Sequence, residues 1–143
     1  MAILNRLVQV AVKPFPRVIS AKGHAIIDYV NLGIFLLGAC AFWRRNKRAS
    51  IAALIAGGAA LATDLVTDYP GGRLGVIGFS LHRDIDFGLA AMTAAMPDFF
   101  VFRDDHERKF FLAEGALISA VAELTQIPQP LEVRGRRERG KAA

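Results

Sequence analysis

The sequence predicts an all-α integral membrane bundle of four helices, made of two repeated helical hairpins with an N-terminal amphipathic interfacial helix in front. Of its 143 residues, 53% are hydrophobic, and they form long apolar runs separated by short charged blocks. Each run approaches the roughly 20 residues that a helix needs to cross a bilayer. A polar pattern also occurs twice along these runs, which indicates an internal repeat.

The repeated pattern is a His-x-x-x-Asp motif at the start of one apolar run and an acidic residue near the end of the next. From the aspartate of the motif to that acidic residue, the interval is nearly the same in the two copies, differing by a single position. In chain order, the members of the two copies are His24, Asp28, Asp64, His82, Asp86 and Glu123.

Residues 1–19 form the predicted amphipathic segment. Apolar residues recur at helical spacing through residues 1–12, a stretch too short to cross a membrane, and Pro14 and Pro16 then interrupt regular structure. A short helix with one apolar face is typical of a segment that lies in the membrane interface.

The first predicted hairpin covers about residues 23–69. Its helices are Gly23–Trp43 and Ala49–Tyr69, joined by a basic turn at 44–48. Trp43 is placed where aromatic residues mark the membrane interface. Alanine and glycine recur along the second helix, and small residues allow membrane helices to approach closely.

The second predicted hairpin covers about residues 80–127. Its helices are about Ser80–Phe102, with Pro97 near the end, and Phe110–Ile127, with a mixed-charge loop over Arg103–Lys109. The four-helix transmembrane domain is therefore residues 20–127. Residues 128–143 are basic and predicted to be a disordered tail.

Helices that alternate in direction bring the starts of the first and third helices beside the ends of the second and fourth. An acidic residue within a spanning helix costs up to ~3 kcal/mol, so the clustered acids need compensation. Histidine with carboxylate suits zinc, iron or manganese. The predicted ligands of a divalent metal are His24, Asp28, Asp64, His82, Asp86 and Glu123, with Asp68 as a further candidate.

Other hypotheses explain the same residues. Protons or the nearby Arg73 and Arg83 could neutralise the acids, and paired His and Asp could be a hydrogen-bond clamp between the hairpins. The carboxylates could also serve a membrane enzyme or a proton or ion transporter. A large cavity that reaches the cluster would favour the enzyme or the transporter.

Three segments resemble the bacterial SPW-repeat membrane proteins: Gly23–Tyr29, Leu65–Tyr69 and Leu81–Asp86. The resemblance covers about residues 20–127, and Met96-Pro97-Asp98 stands where the second repeat of that family has its Ser-Pro-Trp signature. It implies four helices in two repeats and supplies no catalytic residues, since no activity is established for the family.

The net charge of +5 could suggest a nucleic-acid partner, but the basic residues flank apolar runs, as in membrane proteins. We therefore expect no nucleic acid and a multi-pass protein of the bacterial inner membrane, with cytoplasmic termini. The lipid bilayer is the expected partner, and a homo-oligomer or a larger membrane complex is an alternative. The leading functional hypothesis is a small scaffold or accessory protein whose polar centre joins the two hairpins and holds a divalent metal.

Overall fold

The structure, a computed structural model, describes residues 16–127. In this range the chain forms four α-helices and no strand, which confirms the all-α prediction. The predicted amphipathic helix and the predicted tail lie outside the described residues. The helices are α1 (Ala21–Phe42), α2 (Lys47–Val66), α3 (Phe79–Phe99) and α4 (Asp105–Leu124).

Side-chain caps fix the starts of three helices. Ser20, Asn46 and Asp104 each accept a hydrogen bond from a backbone N–H in the first turn of α1, α2 and α4. The prediction of a loop over Arg103–Lys109 was wrong, because Asp104 caps a helix that begins at Asp105. The acidic side chains of the first turn favour that start through the helix dipole.

The residue that follows α2 and the residue that follows α4 are both threonines with extended backbone angles, Thr67 and Thr125. Thr67 forms an isolated parallel bridge with Ile77, and Thr125 forms one with Ile19. The second helix therefore ends at Val66 instead of the predicted Tyr69, and the fourth ends at Leu124 instead of Ile127. The third helix likewise ends at Phe99, short of the predicted Phe102.

The two hairpins contact each other reciprocally at the end of the bundle that carries the chain's N- and C-terminal flanks. The backbone amides just before α3 donate to the last carbonyl of α2: Val76 and Ile77 both donate to Val66 O. The backbone amides just before α1 donate in the same way to the last carbonyl of α4: Val18 and Ile19 both donate to Leu124 O. Each hairpin therefore begins by pairing with the end of the other hairpin.

An ion pair connects the two hairpin loops at the opposite end of the bundle. Arg45, in the loop between α1 and α2, lies 3.2 Å from Asp104, in the loop between α3 and α4. Both side chains are largely exposed, so this pair contributes little to stability and mainly aligns the loops.

Small residues let the helices of each hairpin approach closely. A Cβ added to Gly57 would lie 3.0 Å from Phe35 Cβ, and one added to Gly115 would lie 2.8 Å from Ala90 O. Between these contacts the core is filled by Phe35, Phe111 and a row of buried alanines of α2. Close helix contact at glycine is typical of membrane helices.

Two of the four helices are long and apolar enough to cross a membrane, namely α1 and α2. Helices α3 and α4 carry more charged residues and do not meet that criterion.

We predict opposite effects of alanine at two helical glycines. Gly115→Ala should lower the free energy of unfolding by roughly 1–3 kcal/mol, because the new methyl group meets a backbone carbonyl that cannot turn away. Gly88→Ala in α3 has no atom within 4 Å of the new Cβ and should raise that energy by about 0.5–1 kcal/mol. Denaturant unfolding in detergent measures both, and a stabilised Gly115→Ala variant would contradict the tight α3–α4 contact.

Candidate metal centre

The site is formed where α1 and α3 begin. His24 and Asp28 lie one turn apart on α1, and His82 and Asp86 lie one turn apart on α3, so each pair projects from one face of its helix. Both imidazoles are almost completely buried, with exposed fractions of 1% and 0%. Phe79 packs edge-on against His24 and face-on against His82, which helps to exclude water from the two rings.

The Nε2 atoms of the two imidazoles face each other at 3.2 Å. Asp28 Oδ2 lies 3.2 Å from His24 Nε2 and 3.6 Å from His82 Nε2. Asp86 Oδ2 lies 3.2 Å and 3.3 Å from the same two nitrogens. Two nitrogens and two carboxylate oxygens therefore converge on one point between α1 and α3.

These separations fit two faces of a tetrahedral metal site that share the edge between the two nitrogens. Zinc binds histidine nitrogen and carboxylate oxygen at about 2.0–2.2 Å, which places the corners of a regular tetrahedron roughly 3.3–3.6 Å apart. The five separations just given run from 3.2 to 3.6 Å. Among residues 16–127, two overlapping groups of three side chains could hold a metal ion: His24, His82 and Asp86, and Asp28, Asp64 and His82.

Asp86 has a buried oxygen that lacks a partner when both Nε2 atoms are unprotonated. Its exposed fraction is 6%, and Oδ2 is buried with no hydrogen-bond partner among residues 16–127, although the two imidazole nitrogens lie near it. A buried carboxylate oxygen without a partner costs free energy. A cation held between the four atoms would remove that cost.

Two threonines determine which nitrogen of each imidazole carries its proton. The hydroxyls of Thr67 and Thr125 donate to the carbonyl oxygens of Thr63 and Val121, each at 2.6 Å. Each hydroxyl has a single proton, so it accepts from the imidazole. His82 Nδ1–H donates to Thr67, and His24 Nδ1–H donates to Thr125, both at 2.8 Å.

When an imidazole is neutral and carries its proton on Nδ1, it directs the lone pair of Nε2 into the cluster. Hydrogen bonds to the far nitrogen of this kind orient histidine ligands in metal sites. Neither threonine was among the site residues predicted from the sequence. They could have been found, because Thr67 and Thr125 are separated in the sequence by the same interval as the two histidines and as the two motif aspartates.

Asp64 lies next to this centre on α2. Its exposed fraction is 2%, its Oδ2 has no hydrogen-bond partner in the described part of the chain, and its ligand atom lies within 4.8 Å of those of Asp28 and His82. Tyr69, just beyond α2, donates to Asp28 Oδ2 at 3.2 Å. Burial and the carboxylates of Asp64 and Asp28 raise the pKa of Tyr69 far above its usual range, so the phenol keeps its proton.

Two predicted ligands are not part of the centre. Glu123 is half-buried beside Phe87 in a groove on the outside of α3 and α4, and Asp68 is exposed. Neither belongs to a group of described residues that could hold a metal. The interval of 58 residues between the two histidines pairs Asp64 with Ala122. Glu123 is one position further along α4, and one position turns a helical side chain by about 100°.

The centre is closed. The cavity beside it has a volume of about 10 Å³ and is bordered by His24, Asp28, Asn31, Asp86 and apolar residues of α4. That volume is about the space of one water molecule. A substrate does not fit next to the four ligand atoms in this conformation.

Comparisons with protein-family models, with curated proteins and with solved structures found no match to this chain. The resemblance to the SPW-repeat proteins therefore stays a prediction.

We predict that Thr125→Val lowers both stability and metal affinity. The His24 Nδ1–H would be left buried without an acceptor, at a cost of about 1–3 kcal/mol in the free energy of unfolding of metal-free protein. Metal affinity should fall by roughly 10–100-fold, because the imidazole is no longer held in one orientation. Thr125→Ser keeps the hydroxyl and should restore both quantities. Equal metal affinity in wild type and Thr125→Val would contradict the role of the threonine.

Proposed function

We propose that this protein is a small integral membrane scaffold in which one tetrahedral divalent metal ion, best matched by zinc, joins two duplicated helical hairpins. The single observation that carries the proposal is the approach of His24 Nε2 to His82 Nε2 at 3.2 Å, with one aspartate oxygen from each hairpin 3.2–3.6 Å from both nitrogens. One histidine and one aspartate come from each hairpin, so a bound ion would link the hairpins directly.

A metal ion accounts for this arrangement better than a proton does. Both Nδ1 atoms are engaged by threonine, which leaves two Nε2 lone pairs facing each other beside two carboxylates. One proton can be shared by only two of the four atoms, and a proton on each Nε2 would leave two imidazolium N–H groups facing each other at 3.2 Å. A metal ion bonds to all four, and its two positive charges balance the two aspartates.

The closed geometry favours a structural role over catalysis or transport. Four protein ligands complete a tetrahedral zinc site, whereas catalytic zinc keeps a position open for water or substrate. The adjoining cavity of about 10 Å³ offers no path for a substrate. Structural zinc sites contribute directly to folding free energy, so the ion would act as a clamp.

The placement of side chains supports a bundle that crosses the membrane with all four helices. Large apolar side chains on the outside include Leu37 of α1, Ile51 of α2, Leu81 of α3 and Leu112 of α4. Six ionisable side chains of residues 16–127 lie inside instead, namely His24, Asp64, His82, Asp86, Glu107 and Glu114, and such residues are rarely buried in a soluble protein. Buried ionisable groups in membrane helices face the bundle interior, as they do here. The expected compartment is the bacterial inner membrane.

Metal analysis tests the clamp. Wild-type protein purified without added metal should contain about one zinc ion per chain, because structural zinc binds tightly at neutral pH. His24→Ala/His82→Ala and Asp86→Asn should each lose most of that metal. Removing the ion from wild-type protein with a chelator should lower the unfolding temperature, and adding zinc back should restore it.

Matched controls are available in the same chain. His106→Ala removes a histidine whose side chain is 83% exposed, and Asp84→Asn removes an aspartate whose side chain is 66% exposed, two residues before Asp86. Both controls should keep wild-type metal content. Equal metal in wild type and in the double histidine variant, or no effect of the chelator on unfolding, would refute the clamp.

A labelling experiment tests the membrane topology. In a Cys40→Ala background, a cysteine at Arg44 and a cysteine at Gln126 should lie on opposite sides of the membrane, since they lie at opposite ends of the bundle. With cytoplasmic termini, an impermeant maleimide should label Arg44→Cys in intact cells and Gln126→Cys only after lysis. Labelling of both from one side would contradict a bundle that spans the membrane.

A further inference from the structure

A polar cleft of about 400 Å³ lies at the hairpin-loop end of the bundle, opposite the metal centre. The loop between α1 and α2 and the start of α2 form one wall, with Arg45 and Arg48, and the loop between α3 and α4 forms the other, with Arg103 and Asp104. Glu107 of α4 also borders the cleft, but only 1% of it is exposed.

Two arginines of the cleft are available to a ligand. Arg45 is engaged by Asp104 at 3.2 Å. The backbone N–H of His106 holds the pKa of Asp104 below its usual range, so that carboxylate is ionised and already bound. Arg48 and Arg103 form no ion pair within residues 16–127. Three arginines and two carboxylates give the cleft a formal charge of +1, which complements the single negative charge of a phosphodiester.

An apolar groove of about 290 Å³ lies between α2 and α3 and reaches the same loop. Its walls are the side chains of Ile55, Met92, Met96, Phe99 and Phe100, with Ala95. Phe99 and Phe100 lead directly to Val101, which borders the arginine cleft. Phe99 is 84% exposed and Val101 64% exposed, so an apolar surface connects the two features.

We propose that this cleft and groove together bind one phospholipid, with the phosphodiester held by Arg48 and Arg103 and an acyl chain lying in the groove. The proposal rests on the membrane location proposed above. Arginine matches phosphate oxygens with a planar pair of donors. The site is separate from the metal centre and uses none of its residues.

Native mass spectrometry of the full-length protein, released gently from detergent, tests the site. Wild-type protein supplied with phosphatidylglycerol should retain one lipid per chain. Arg48→Gln/Arg103→Gln should retain roughly tenfold less, because two charges that attract the headgroup are removed. Phe99→Asp, which places a charge at an 84% exposed position of the groove, should also weaken retention.

The control variant removes the same charge at the same end of the bundle. Arg44→Gln/Lys109→Gln changes two exposed basic residues that do not border the cleft, and it should retain lipid as wild type does. Equal retention in both double variants would overturn the proposal. So would displacement of the lipid by millimolar inorganic phosphate, which would assign the cleft to the free anion.

If the proposed membrane location is wrong, the experiment gives a different result. Protein that leaves the membrane fraction in alkaline carbonate without detergent refutes the membrane bundle itself, and the lipid site with it. Protein that stays in the membrane fraction but retains lipid equally in all variants refutes the lipid site alone. Zinc content measured on the same samples should be unchanged in the arginine variants.

Discussion

The structure depends on how two imidazoles and two carboxylates are accommodated at one buried point. The Nε2 atoms of His24 and His82 approach to 3.2 Å, and one aspartate oxygen from each hairpin lies 3.2–3.6 Å from both nitrogens. With both imidazoles neutral and no cation bound, lone pairs and negative charges would oppose one another where solvent cannot screen them. With a divalent ion, the same four atoms become the strongest link between the two hairpins.

The two hairpins place matching residues around this point. The motif aspartate, the orienting threonine and the backbone bridge beside one imidazole each have a counterpart beside the other, at the sequence interval that separates the two histidines. The threonines end α2 and α4, so the residues that stop these helices also hold the histidines. A single local geometry, used twice, therefore produces both the helix ends and the ligand orientation.

Much of the fold could be predicted from the sequence, since apolar runs and charged blocks locate four helices to within a few residues. The errors lie at helix ends, where a single side chain determines the residue at which the helix begins or stops. Asp104 converts a charged segment into the first turn of α4, and Thr67 stops α2 by joining a backbone bridge. Hydropathy averages contain no term for a cap or a bridge of this kind.

The candidate ligands were predicted in part. The two His-x-x-x-Asp motifs meet because their i and i+4 positions share a helix face, which spacing alone reveals. Glu123 was included because its interval from Asp86 nearly equals that from Asp28 to Asp64, but an error of one position rotates a helical side chain away from the centre. Distances of 3.2–3.6 Å between ligand atoms follow from helix packing and are not encoded in any spacing.

X-ray absorption spectroscopy of the zinc-loaded protein tests the central claim most directly. A His24/His82/Asp28/Asp86 site predicts four ligands at about 2.0 Å, two of them with the multiple-scattering signature of imidazole. Six oxygen ligands, or a spectrum without imidazole scattering, would contradict a metal clamp between the two hairpins.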